Sequence, residues 1–233
     1  PGRMVEPENI LELISSSIKI GPLVGKIITI TAGPTREQID PVRFISNNSS
    51  GKMGYALAEA AIEAGALVNL ISGPVSIDAN KSANLYKINS ASEMLEKVDE
   101  LMPNTDIFIG CAAVSDFKPS YYHENKIKKD DLNVVDLELK KNIDILNHVA
   151  KVYKSSYVVG FAAETKNVKE NARKKLLNKK LNMIISNDVS DKSIGFDSDQ
   201  NEVNLITKSE SIFLKKDKKI RIAREILKII SLN

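Results

Sequence analysis

Apolar residues return along this chain in two periods, and their alternation sets the expected architecture. Residues 26–31 (KIITIT) form a β-branched run ending at Ala32-Gly33-Pro34, which reads as a strand followed by a turn. Met53, Ala56, Leu57, Ala60, Ala61 and Ala64 then recur at helical spacing, and Gly65 is a natural stop. Residues 67–72 (LVNLIS) are strand-like and again end in Gly-Pro, 92–101 are helical, and the continuous apolar run 106–113 (DIFIGCAA) predicts a buried strand. The stretch 114–143 breaks this rhythm with a lysine-rich loop and an alternating segment, LNVVDLELK (132–140), that reads as an exposed edge strand. A helix over 144–153, a strand over 157–163, a lysine-rich helix over 168–180 and a strand over 181–186 restore it. Two late strands (202–207 and 211–215) precede a closing helix over 219–230, and a short amphipathic helix is expected over 6–17.

Alternating strands and helices predict an α/β fold: a Rossmann-like, mostly parallel sheet with helices on both faces. Such sheets bind ligands in the crevice beyond the carboxyl ends of their strands. The polar loops 33–54, 112–129, 160–165 and 186–199 therefore mark the expected site. The first contains PTREQIDPVRFISNNSSGKMG, roughly twenty residues where a connector needs a handful.

Composition narrows the classes. The 233 residues suffice for one large α/β domain or two small ones; 42% are hydrophobic and 27% charged. A net charge of +3 gives no reason to expect nucleic-acid or membrane binding, and lysine runs are most simply solvated faces. The single cysteine, Cys111, excludes an internal disulfide and suits a cytoplasmic protein. With His123 and His148 as the only histidines, a zinc site is not expected, and no apolar run approaches the roughly 20 residues that span a bilayer. The chain opens at Pro1 without a methionine, so it is expected to be cut from something longer.

Several motifs could carry chemistry. Ser49-Ser50-Gly51-Lys52-Met53-Gly54 opens a helix and suits an anion; an ordinary capped helix with close-packing glycines is the plain alternative. It is neither a Walker A loop nor a full G-x-G-x-x-G. Arg36, Arg43, Asn47 and Asn48 share the same loop, and arginine forks suit carboxylate or phosphate, although loop arginines also simply face water. The cluster Lys126-Ile127-Lys128-Lys129 either neutralises charge during transfer to or from a phosphate or is solvated. Phe161 could stack on a base or fill the core, and Cys111 reads as a small buried residue.

Four blocks, TAGPTREQIDPVRFISNNSSGKMG, GCAAVSDFKP with KIKK, GFAAET, and NMIISNDVS with GFDSDQN, occur in order from about residue 26 to about residue 208. Together they resemble the phosphopantothenoylcysteine synthetase family, the second half of bifunctional coenzyme A biosynthesis proteins. The resemblance implies a ligase that activates 4′-phosphopantothenate with CTP and Mg²⁺ to an acyl-cytidylate, then couples it to L-cysteine. It implies residues 1–25 as a junction helix after a flavin-dependent decarboxylase domain, residues 26–233 as the nucleotide-binding ligase domain, and a homodimer joined through a small β extension. By the same resemblance Lys126 stabilises charge at the α-phosphate, and Asn47 acts on the acyl-cytidylate. Arg43 and Ala113 help Asn47 to hold phosphopantothenate, while Gly33, Ser49, Ser50, Gly51, Lys52, Met53 and Gly54 hold triphosphate. Gly110, Cys111, Ala112 and Asp116 frame the nucleotide, Ile143, Asp144, Ile145, Leu146 and Phe161 surround base and ribose, and Lys175 and Lys179 reach it. No protein side chain is expected to ligate metal.

The main rival is a Rossmann-type NAD(P) oxidoreductase, which needs an acidic residue at the end of the second strand; Ser72-Gly73-Pro74 stands there. A nucleotide-sensing or nucleic-acid-binding module would instead lean on the lysine runs.

Overall fold

The computed structural model describes residues 21–128, 136–164, 167–188 and 197–232; the helix expected over 6–17 lies outside them. β1 (Ile27–Ala32) and β4 (Leu67–Ser72) are buried along nearly their whole length. Such continuous burial is what their unbroken apolar runs require of strands covered on both faces. β1 pairs in parallel with β4 on one side and with β6 (Ile107–Gly110) on the other. The eight-stranded sheet continues outward through β5 (Asn84–Lys87) beyond β4. Beyond β6 it runs through β9 (Tyr157–Glu164), β10 (Met183–Asp188), β11 (Gln200–Ile206) and β12 (Ser211–Lys218). Pairing is parallel from β5 to β10 and antiparallel at β11 and β12. The order reverses between β1 and β6, the switch point at which a crevice opens in this kind of sheet.

Two core layers sandwich the sheet. On one face α1 (Lys52–Glu63) and α5 (Lys219–Ile230) pack Leu57, Ala61, Ile222 and Ile226 against Ile28, Ile30 and Leu70. On the other, α2 (Ala91–Leu101), α3 (Ile145–Val152) and α4 (Val168–Lys179) bring Met94, Val98, Val149 and Leu176 onto Ile71, Phe108 and Ile184. Leu23, ahead of β1, is also buried in the first layer.

Three departures from the periodicity have physical causes. β5 is half exposed and carries no apolar run, so nothing in its composition announces an edge strand. The apolar segment 106–113 leaves the sheet at Gly110. Beyond it Ala113 makes an isolated bridge with Pro34, because the two loops that follow β6 and β1 pair with each other. The long loop after β1 is itself structured: β2 (Arg36–Gln38) and β3 (Phe44–Ser46) form an antiparallel hairpin. The strand expected over 132–140 falls partly outside the described residues, and its end, β8 (Leu139–Lys141), pairs antiparallel with β7 (Phe117–Pro119) in a separate ribbon.

Candidate functional site

The hairpin loop delivers the chain to α1 through Gly51, whose φ of 78° and the 2.8 Å approach of Val75 to any added Cβ leave room only for glycine. The N-cap residue Gly51 makes no side-chain cap hydrogen bond at this helix start, and the positive end of the α1 dipole lies there. Ser49 Oγ accepts the Gly51 amide at 3.3 Å and shapes the approach. Lys52 Nζ donates to Asp197 O and to Asp199 Oδ1, both at 2.7 Å, tying the helix start to the segment before β11.

Opposite lies the loop after β6. Ala113 N donates to Gly33 O at 2.9 Å, Ser115 N to Thr35 Oγ1 at 3.0 Å, and Asn47 Nδ2 to Val114 O at 3.0 Å. These bonds hold the 33–36, 47 and 111–116 segments together as one wall. Asn142 extends it, donating from Nδ2 to Ser115 O at 2.9 Å and from its amide to Asp116 O at 2.9 Å. Asp144 caps α3 by accepting the Asn147 amide at 3.0 Å and pairs with Lys179 Nζ at 2.7 Å.

These walls enclose two adjoining cavities. The larger, about 520 Å³, takes in Asn47, the run from Ser49 to Gly54, Cys111, Ala112, Ala113, Asp116, Phe161 and Lys175. The smaller, about 220 Å³, takes in Gly110, Ile143, Asp144, Ile145, Leu146 and Lys179. Ala112, Asp116, Phe161 and Lys175 line both. One trench thus runs from an uncapped helix start, past an acidic and an aromatic side chain, to the capped start of α3.

Three expected site residues stand elsewhere. Gly33 belongs to the wall through its carbonyl, which holds Ala113, but lines neither cavity. Arg43 donates from Nη1 to Asp40 and from Nη2 to Ile127 O, each at 2.9 Å. Lys126 is exposed and lines neither cavity.

Asn48, weighed in sequence beside Asn47, lines the larger cavity, which also receives residues that the pattern did not single out: Val114, Asn187, Asn201 and Lys219. Asn187 falls in a segment flagged in sequence as a polar loop and stands near the end of β10, but Lys219 reads in sequence as one more lysine of a charged run. Its residue is 6% exposed, and burial first, then the neighbouring Lys52, hold its pKa below the usual lysine value. Burial pushes the Cys111 thiol up to about 12, with Lys219 opposing, so it stays protonated near neutrality and is no nucleophile. Among the described residues no group of three or more His, Cys, Asp or Glu side chains could hold a metal ion. No helix among them is long and apolar enough to cross a membrane.

Comparison with known proteins agrees with this geometry. The chain is 45% identical over 232 residues to the coenzyme A biosynthesis bifunctional protein CoaBC of Vibrio vulnificus (strain YJ016). It is 48% identical over 211 residues to that of Bacillus subtilis (strain 168). The alignments take in 99% and 89% of this chain but 58% and 52% of those proteins, so the chain spans little more than half their length. A crystal structure of the C-terminal domain of a CoaBC protein superposes with a TM-score of 0.79 at 43% identity, covering 91% of this chain and 97% of the other. Residues 23–232 match the model of the DNA/pantothenate metabolism flavoprotein C-terminal domain, and the chain belongs to that family.

Proposed function

We propose that this chain is a CTP-dependent phosphopantothenate–cysteine ligase. It would join the carboxylate of 4′-phosphopantothenate to the α-phosphorus of CTP, releasing pyrophosphate, and then pass the acyl group to the amine of L-cysteine, releasing CMP. The observation that carries this reading is the trench: its two adjoining cavities and their lining suit a nucleoside triphosphate lying from the α3 cap to the α1 start.

The chemistry asks little proton transfer of the protein in the first step. A carboxylate is already ionised at neutral pH, so alignment and charge neutralisation set the rate. The positive end of the α1 dipole and the buried Lys219 supply positive potential to the larger cavity, and Lys175 stands where the two cavities meet. Mg²⁺ carried on the triphosphate would neutralise further charge, and Asp116, lining both cavities, is the carboxylate placed to meet it. Phe161 offers a face for the base or ribose. Asn47, held by Val114 O, stands in the larger cavity where the acyl group would lie.

Lys126, the charge-stabilising lysine of this reading, lies outside the cavities of a single chain. The reading therefore includes a homodimer whose interface brings that loop over a nucleotide. Phe44, Phe117, Tyr121, Tyr122 and Leu139, all exposed on the hairpin and ribbon beside the loop, support such an interface. The relatives' description as bifunctional coenzyme A biosynthesis proteins supports a second activity beside the ligase, which this reading takes to be the flavin-dependent decarboxylase, both acting in the cytoplasm. An NAD(P) enzyme is disfavoured because β4 closes on Ser72, not on an acidic residue for the ribose.

The deciding experiment is pyrophosphate release from the purified chain with CTP, Mg²⁺ and 4′-phosphopantothenate, without cysteine. A burst near one equivalent per site, discharged to CMP by added cysteine, supports the ligase. A folded chain that gives no burst with any nucleoside triphosphate, with or without the decarboxylase half, refutes it.

A further inference from the structure

The turn between β2 and β3 reaches into a distant loop. Asp40 is fully buried, and its two carboxylate oxygens have separate partners. Oδ1 accepts the amides of Val42 and Arg43, both at 2.8 Å, the arrangement by which an aspartate closes a turn on its own backbone. Oδ2 accepts Arg43 Nη1 at 2.9 Å and, from 87 residues further along the chain, the amide of Ile127 at 3.2 Å. Arg43 Nη2 then donates to Ile127 O at 2.9 Å. Both polar groups of the Ile127 backbone are thus held by one ion pair, and Ile127 lies between Lys126 and Lys128. A third tie runs from the His123 amide to Ile39 O at 2.9 Å.

We propose that Asp40 and Arg43 are positioning residues, whose ion pair clamps the backbone at Ile127 and so determines where Lys126 stands during nucleotidyl transfer. The proposal rests on the ligase reading, since the clamp matters to the chemistry only if Lys126 does. Lysine is a compact charge on a long flexible stem. Its usefulness against a developing phosphate charge depends on a fixed backbone beneath it, because misplacement by about 1 Å costs on the order of 10²-fold in rate. The hairpin supplies that base: Asp40 is bound into its own turn, so the clamp is rigid on one side before it meets the loop. Burial works against ionisation of Asp40, but hydrogen bonds from Val42, Ile127 and Arg43 outweigh it and hold its carboxyl below the usual carboxylate value. The ion pair is therefore charged at neutral pH. The clamp also gives Arg43 a role that needs no substrate contact.

Asp40→Asn separates the clamp from the turn. Its side-chain oxygen can still accept the Val42 and Arg43 amides, but its NH₂ then confronts the Ile127 amide and Arg43 Nη1, donor against donor. The experiment combines amide hydrogen exchange at Ile127 with the single-turnover pyrophosphate burst, in the unsubstituted chain, D40N, K126A and the double variant. We expect D40N to exchange the Ile127 amide about tenfold faster, as loss of one buried hydrogen bond implies. We expect its burst to slow by roughly 10- to 100-fold with the CTP requirement unchanged, and the same substitution to add little in the K126A background. Should D40N fail to fold, Arg43→Gln tests the same clamp through the Ile127 carbonyl. Unchanged protection at Ile127, or a D40N defect that persists in full without Lys126, overturns the proposal. Absence of any burst from the unsubstituted chain, with Ile127 protected in it and exposed in D40N, strikes the ligase reading and leaves the clamp standing.

Discussion

Lys52 Nζ stands 2.7 Å from Asp199 Oδ1, a contact that joins the first residue of α1, itself lining the larger cavity, to the segment entering β11. Both partners are solvent-accessible, the aspartate side chain 84% exposed, so the pair adds little to stability. We expect Lys52→Met to leave the melting midpoint within about 2 °C of the unsubstituted chain. On the proposed ligase reading the same change should weaken Mg·CTP binding by roughly threefold to tenfold, since it removes a cation from the cavity proposed to take the triphosphate. Titration calorimetry at two salt concentrations checks this, and a variant that binds CTP normally would show that Lys52 only ties the loop.

Lys219 behaves oppositely, because its charge is buried. A lysine whose folded pKa lies below its ordinary value of 10.5 binds its proton more weakly when folded, so its contribution to stability improves as pH rises toward that value. The difference in melting temperature between the unsubstituted chain and Lys219→Met should therefore shift in favour of the unsubstituted chain as pH rises. Below that window the Met variant should be at least as stable, for it removes a desolvated charge. It should nevertheless bind CTP about tenfold more weakly. Thermal unfolding across pH 7 to 10 tests the sign; a difference flat in pH contradicts the assigned burial.

Cys111 is held protonated by burial, its pKa pushed up to about 12. A disulfide reagent at pH 8 should label it slowly in the folded chain and fully, at one thiol per chain, after denaturation. Rapid labelling of the native protein would mean that the thiol, which lines the larger cavity, is not held protonated.

Gly54 marks where α1 crosses the end of β1 most closely. A Cβ there would sit 2.5 Å from Ala32 Cβ and 3.1 Å from Ala32 Cα, neither of which is the end of a flexible side chain. Alanine in a helix gains about 1 kcal/mol over glycine, but forcing the helix off the strand costs about 1–3 kcal/mol. We expect Gly54→Ala to be destabilising on balance in urea unfolding and to lower CTP affinity by lifting the cradle. A stabilised variant would show that the helix shifts at no cost.

The sequence by itself determined the beat of strand and helix. β1, β4, β9, α1 and α5 lie within a residue or two of where apolar period and Gly or Pro punctuation put them, since those elements are buried and burial demands the pattern. It also marked Gly51 and Gly54 at the start of α1, where a left-handed φ and the close approach of Ala32 admit few alternatives. Only tertiary structure decided three further matters. β5, β2 and β3 owe their strand geometry to neighbouring edges and loops, not to their own apolar content, so nothing local announces them. Lys219 lines the larger cavity because the antiparallel pair β11–β12 returns the chain to it; by composition it is one lysine among several. The lysine loop is placed by Asp40 and Arg43 from far earlier in the chain, through hydrogen bonds to a backbone whose own side chain says nothing of them. Periodicity records what a residue buries, whereas partners distant in sequence are chosen by the way the sheet brings its loops together.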